Sequence, residues 1–246
     1  MGERTQQKMA THLKTRVELV LWDARSDEHI RRMHALRVAC GWRADEVGEW
    51  KYRQLKGTKF MWWVVLVSDA YTDGLSDSHL VRYPDERTPL EDTANAEIME
   101  HRPLAAKEFV PVGHISLEKK PEMDTELKLP ANGMFWVTSL YISWALQEGG
   151  IGRLAMRQLE NLAAEKFFEA GVMALDTPPK EFQLSPEFIK TSYTDGGWGV
   201  PKVRCHVKYL WSVNYFNSLS TFHEYLGIAE HSGVVRTTRV CRIPPR

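Results

Sequence analysis

Three glycines fall within four positions in Gln147-Glu148-Gly149-Gly150-Ile151-Gly152, between an apolar run and a stretch with helical spacing. Glycines at such a junction leave backbone N–H groups open at a helix start, where the helix dipole adds partial positive charge. The chemistry this stretch suits is the holding of a phosphate. Three readings follow. Gly150-Ile151-Gly152-Arg153-Leu154-Ala155 satisfies the dinucleotide pattern G-x-G-x-x-A, with Asp176 downstream as the acid such a site uses on a ribose. Against it, Ser143 to Gly149 separate strand from glycine, and the chain after Asp176 lacks the further strand–helix units of a dinucleotide domain. No Lys-Ser or Lys-Thr follows the glycines, so a P-loop does not fit either. A ligand-free turn is the second reading, and three glycines are an entropically expensive way to build one. The third depends on the surrounding elements.

Residues 17–23 alternate roughly and carry β-branched residues, as a strand favours. Ser26 caps a helix with Asp27 and Glu28 in its first turn and Ile30, Met33, Leu36 and Val38 on one face, ending near Gly41. A second helix fits 44–55, and 60–69 is an apolar strand. Residues 71–108 are polar, acidic-leaning and rich in turn residues, and read as an insertion. Strand 109–118 is expected to pair with 60–69 across it. Strand 133–143 leads to the glycine turn, and the next helix carries Ile151, Ala155, Leu159 and Leu162 before Gly171 stops it. Residues 172–176 form a short strand. A second irregular insertion, 178–208, contains Phe182, Phe188, Tyr193 and Trp198; a helix over 211–227 and a strand over 234–243 follow. The expectation is a frayed tail over 1–15 and one α+β domain over 16–246, with insertions at about 71–108 and 178–208.

Composition narrows the function classes. The 246 residues carry 32 Lys+Arg against 32 Asp+Glu, so no basic field recruits nucleic acid. Cys40, Cys205 and Cys241 are too few and too scattered for a disulfide framework or a zinc site, which suits reduced thiols in a cytoplasmic setting, the nucleus also being open. The N-terminal residues have neither an apolar core nor the Ser or Thr at position 6 that myristoylation needs, and no apolar run approaches a membrane span. No metal is expected.

The Q-x-x-G-x-G frame from Gln147 to Gly152, five residues after Leu140-Tyr141-Ile142, resembles the acetyl-CoA signature of the GNAT acyltransferase superfamily. The element order over residues 17–243 is similar to that fold: a mixed α/β sandwich with a central, mostly antiparallel sheet flanked by helices. Val38-Ala39-Cys40-Gly41-Trp42 resembles fungal members.

The resemblance implies an N-acetyltransferase, monomeric or homodimeric, with acetyl-CoA as co-substrate and an amine as acceptor. Gln147, Glu148, Gly149, Gly150, Ile151, Gly152 and Arg153 would face the pyrophosphate, and Leu140, Tyr141 and Ile142 the pantetheine arm, in a gap where that strand splays from residues 172–176. Asn214 or Asn217 would touch the arm. The family's glutamate is missing from the strand before the turn, which leaves Glu118, His114 or Asp176 as substitute bases. His223 stands where many members carry a tyrosine acid, with Tyr225 as the alternative. A small-molecule amine is the first expectation for the acceptor and a peptide or protein the second. A catalytically weak CoA-binding module is the remaining option.

Overall fold

The computed structural model describes residues 16–94, 107–130, 132–147, 149–165, 167–177, 185–190, 228–231 and 234–242. In chain order the elements are β1 (Val17–Leu21), α1 (Asp27–Cys40), α2 (Val47–Leu55), β2 (Lys59–Leu66), α3 (Ala70–Arg82), β3 (Leu90–Glu91), β4 (Glu108–Phe109), β5 (Pro111–Glu118), α4 (Pro121–Glu126), β6 (Met134–Ile142), α5 (Ile151–Ala163), β7 (Val172–Thr177), α6 (Pro186–Ile189), β8 (Ile228–His231) and β9 (Val234–Arg242). They fall into two compact units. The first runs to Glu118 and includes Ser139–Phe168; the second comprises Lys119–Thr138 and the chain from Glu169 onward.

In the first unit β2 pairs antiparallel with β1, from Val17↔Leu66 to Leu21↔Trp62, and with β5, from Lys59↔Glu118 to Val65↔Pro111. The last residues of β6 lie beside β5. The apolar run at 60–65 is buried throughout, as its composition demands. α1 begins where Ser26 Oγ accepts from the His29 N–H and ends where Gly41 turns left-handed at φ 82°. α2 is locked down by Gln54, fully buried, which accepts from the Met61 N–H at 2.8 Å and donates to the Trp22 carbonyl. Trp22, Met33, Leu36, Trp50, Met61 and Trp63 centre the core of this unit.

His29 shows how polar groups are accommodated there. Its Nδ1 accepts from Trp63 Nε1 and from the Asp23 N–H, both at 3.1 Å, so the proton sits on Nε2, 2.9 Å from the Glu91 carbonyl. Burial lowers its pKa and keeps the ring neutral.

The stretch expected to be irregular insertion begins with a helix. Asp69 accepts from the Tyr71 and Thr72 N–H groups, and Thr72 answers the Asp69 N–H at 2.7 Å, a reciprocal cap that starts α3. The Asp69-x-x-Thr72 spacing carries this start in the sequence, where the turn residues Tyr71-Thr72-Asp73-Gly74 point the other way. α3 also has an inner face, since Thr72 and His79 are buried. β3 and β4 pair as a separate two-stranded ribbon that contributes Leu90 and Phe109 to the core.

α5 packs on β1 and β5 through Ile151, Leu154, Ala155 and Leu159, the face the spacing predicts, with Leu162 half-buried beside it. Glu160 has Oε1 buried without a hydrogen-bond partner, and burial raises its carboxyl pKa to about 7. A carboxyl whose folded pKa exceeds its unfolded value of 4.5 supports the fold below that value and loses that support as pH rises through 7. Glu160→Gln is therefore expected to match the parent near pH 4 and to exceed it by roughly 3 kcal/mol above pH 7, measured by urea unfolding across pH.

In the second unit the first residues of β6 pair parallel with β7 over four positions, Met134↔Val172 to Val137↔Leu175. β7 pairs antiparallel with β9, and β9 with β8, which is a strand the sequence reading lacks. Met134, Trp136, Val172 and Ala174 form a small core with Met123, Leu127 and Leu129. Trp136 Nε1 donates to Asp124 Oδ1 at 2.7 Å, which anchors α4, also absent from the sequence reading. Pairing throughout the chain is thus mixed and mostly antiparallel, as expected. The helix expected over 211–227, and all of the second insertion except 185–190, lie outside the described residues.

Candidate functional site

The glycine turn is open in the way its composition implies. Gly150 is the N-cap of α5 at φ 79°, no side chain caps the helix, and its first turn carries no acid. Arg153 and Leu154 both donate to the Gly150 carbonyl at 3.1 Å, whereas Ile151 and Gly152 precede the first helical bonds and hold free-facing N–H groups. Among the described residues, a Cβ on Gly150 meets nothing within 4 Å, and one on Gly152 meets only Ile142 Cγ1, at 3.6 Å. Packing inside the chain does not ask for glycine at 152, although glycine in a helix costs about 1 kcal/mol against alanine.

Gln147 has a role the motif does not announce. Its Nε2 donates to the Ile142 carbonyl at 3.2 Å, tying the turn to the end of β6. Arg153 is exposed, Leu140 half-buried, and Tyr141 and Ile142 are buried. Glu148 lies outside the described residues.

The end of β6 is bent and braced. Ser139 adopts φ 53° inside the strand, which re-aims the residues after it. Its carbonyl accepts from His114 Nδ1 at 2.6 Å and its Oγ from Lys59 Nζ at 3.2 Å. β5 comes so close here that a Cβ on Gly113 would overlap the Tyr141 carbonyl oxygen and stand 3.1 Å from Ile142 Cα. Gly113→Ala is expected to cost about 2–3 kcal/mol, measured by thermal unfolding, because backbone rather than a flexible side chain must yield.

Just beyond the strand, the Ser143 N–H donates to Val112 at 2.8 Å and Ser143 Oγ lies 2.9 Å from His79 Nδ1. His79 Nε2 stands 3.2 Å from Glu86 Oε2 without hydrogen-bond alignment. Trp144 Nε1 donates to the Ala39 carbonyl at 2.9 Å, fastening the last turn of α1 to this point.

The candidate bases differ in freedom. Glu118 is buried with both carboxylate oxygens engaged, Oε1 by Arg53 Nη1 and Oε2 by Lys59 Nζ at 3.0 Å, so taking a proton means breaking an ion pair. His114 is fully buried, and because its Nδ1–H serves the Ser139 carbonyl, its Nε2 carries a lone pair with no partner. Burial first, and the Arg37 guanidinium next, hold its pKa well below that of an ordinary histidine, so the ring is neutral. Asp176 is in the second unit, where its backbone pairs with Thr238. His223, Tyr225, Asn214 and Asn217 lie outside the described residues. Arg37, Trp50, Lys59 and Gly113 stand at this site without having been singled out; only Gly113, a glycine inside a strand, carries a signal in the sequence.

Among the described residues no group of three His, Cys, Asp or Glu is placed to hold a metal ion, and no helix is long and apolar enough to cross a membrane.

No family model and no curated protein matches the chain. Solved structures resemble its course at low identity. An acetyltransferase of the GNAT family from Staphylococcus aureus is 10% identical with a TM-score of 0.43, covering 93% of this chain and 99% of that one. NAA60 of Arabidopsis thaliana, in complex with a bisubstrate analogue, is 8% identical with a TM-score of 0.47, covering 93% and 99%. The spermidine/spermine N-acetyltransferase SpeG of Vibrio cholerae is 8% identical with a TM-score of 0.45, covering 92% and 94%.

Proposed function

We propose that this chain is an acetyl-CoA-dependent N-acetyltransferase of the GNAT kind. The observation that carries the reading is the uncapped, acid-free glycine start of α5, joined by Gln147 to the last residue of β6. The N–H groups of residues 149–152 and the Arg153 side chain suit a pyrophosphate. Residues Leu140 to Ile142 suit the amides of a pantetheine arm, with a backbone N–H near Tyr141 or Ile142 polarising the thioester carbonyl.

Transfer is direct. The amine nitrogen bonds to the acetyl carbon, the carbon–sulfur bond breaks, the amine gives up a proton and the CoA sulfur leaves to become a thiol. His114 Nε2 is the better-placed proton acceptor, since Glu118 is held by two cations. His223, with Tyr225 as the alternative, serves as acid to the leaving sulfur, and a small-molecule amine is the preferred acceptor.

A thermal-shift comparison of acetyl-CoA, CoA and NAD, followed by thiol release with an amine panel, tests this. Acetyl-CoA and CoA are expected to stabilise the protein, NAD to leave it unmoved, and at least one amine to release thiol. Stabilisation by NAD alone would return the dinucleotide reading. Stabilisation by acetyl-CoA with no release would leave a CoA-binding module, the reading that the engaged state of Glu118 favours.

A further inference from the structure

Among the described residues, a guanidinium with no counter-ion shares the surroundings of the Trp50 ring with His114, whose Nε2 has no hydrogen-bond partner. Arg37, in the last turn of α1, is 4% exposed, its Nε has no hydrogen-bond partner, and no carboxylate stands within ion-pair distance of it among the described residues. Its Cζ is 5.1 Å from the centre of the Trp50 ring, and the His114 ring is 6.2 Å from the same centre. Glu46 is committed elsewhere, bridging Arg43 at 3.2 Å and accepting from Trp50 Nε1.

The indole face and the carbonyl end of α1 ease the burial of this cation, but neither is an anion. A buried guanidinium with unused donors calls for a carboxylate or a similar planar anion. Around the same ring, the Nε2 lone pair of His114 calls for an N–H donor. The pair is a donor fork and a lone acceptor around one aromatic ring.

The site also adjoins the place where acetyl transfer would occur. Tyr141 of β6 packs its ring 5.7 Å from His114 and 6.4 Å from Trp144, and Trp144 holds the Ala39 carbonyl two residues after Arg37.

We propose that Arg37 and His114 form the acceptor subsite, and that the acceptor is a small amine bearing a carboxylate, its carboxylate on the Arg37 guanidinium and its amine at His114 Nε2. This inference rests on the acetyl-transfer reading for its chemistry, though not for binding. The amine, once neutral, bonds to the acetyl carbon as its proton passes to Nε2; the carbon–sulfur bond breaks and the proton ends on the CoA sulfur. The products are an N-acetyl amino carboxylate and CoA.

The test sets each of the twenty amino acids against its neutral α-amide, at saturating acetyl-CoA, with thiol release as readout. At least one amino acid is expected to exceed its amide by roughly 100-fold in kcat/KM, the margin of a site built around a buried polar partner. Arg37→Met is expected to abolish that preference through KM while leaving acetyl-CoA binding intact, and Arg37→Lys to restore part of it, since a point charge replaces a fork. No preference for any amino acid over its amide, or a preference that survives Arg37→Met, overturns the proposal.

Should acetyl-CoA fail to bind, the acetyl-transfer reading falls, and the subsite is read by amino-acid thermal shift alone. A shift in the parent that Arg37→Met removes upholds the carboxylate site; no shift in the parent ends it. The parent comparison needs no variant, so a misfolded Arg37→Met leaves the proposal open to refutation.

Discussion

Glu118→Gln is expected to destabilise the protein by about 3–5 kcal/mol, the cost of leaving a buried charge without its partner. Lys59 is 2% exposed, faces Glu118 across the β2–β5 ladder, and also reaches Ser139 Oγ and the Trp50 face. With a neutral amide opposite, the buried ammonium loses the carboxylate that balances it at 3.0 Å. Arg53 is half-buried and can turn toward water, so the loss concentrates on Lys59.

The double variant Lys59→Met with Glu118→Leu removes both charges of the buried pair and is expected to recover most of that stability. Urea unfolding of parent, both single variants and the double variant at pH 7 gives the coupling. If Glu118→Gln stayed within about 1 kcal/mol of the parent yet lost turnover, Glu118 would be the base after all and the structural account of it would fail.

Gly152→Val is expected to separate ligand binding from folding. Among the described residues the added Cβ meets only Ile142 Cγ1 at ordinary contact distance, and valine is the better helix residue, so unfolding should move by no more than about 1 kcal/mol. Acetyl-CoA affinity, by contrast, should fall at least roughly 100-fold, because the branched side chain fills the space through which backbone N–H groups would reach a pyrophosphate. Two charge-assisted bonds of about 1.5–3 kcal/mol each are lost or lengthened. Isothermal titration of parent and variant decides it, and an unchanged affinity would remove the glycine turn from the cofactor site. Position 152 makes the sharper test, since Gly150 sits at φ 79°, where any side chain strains the backbone for reasons unrelated to ligand.

The distinction between these two positions shows what kind of information each level holds. The strands expected over 60–69 and 109–118, found as Lys59–Leu66 and Pro111–Glu118, the Ser26 and Gly41 caps of α1 and the apolar face of α5 were legible because each is a local rule: burial of an apolar run, a side-chain cap, a period of 3.6. So was the pairing of β5 with β2 across the intervening stretch. α3 was misjudged because two local rules competed at Asp69-Ala70-Tyr71-Thr72-Asp73-Gly74, and the reciprocal cap, with an inner face to bury, prevailed over the turn residues.

By itself, then, the sequence determined the open helix start at Gly150 and the order of the elements that carry it, since glycine placement and apolar periodicity act within a few residues. The tertiary structure decided which charges are spent and which are spare. Glu118, Lys59 and Arg53 come from β5, β2 and α2, and only their convergence turns an apparent base into an ion pair. Burial strips His114 and Arg37 of water, and among the described residues the packing of α1, α2, β5 and β6 around Trp50 leaves one with a bare lone pair and the other without an anion. Desolvation depends on neighbours distant in sequence, which is why the chain offered His114 only as one of three candidate bases and did not announce Arg37.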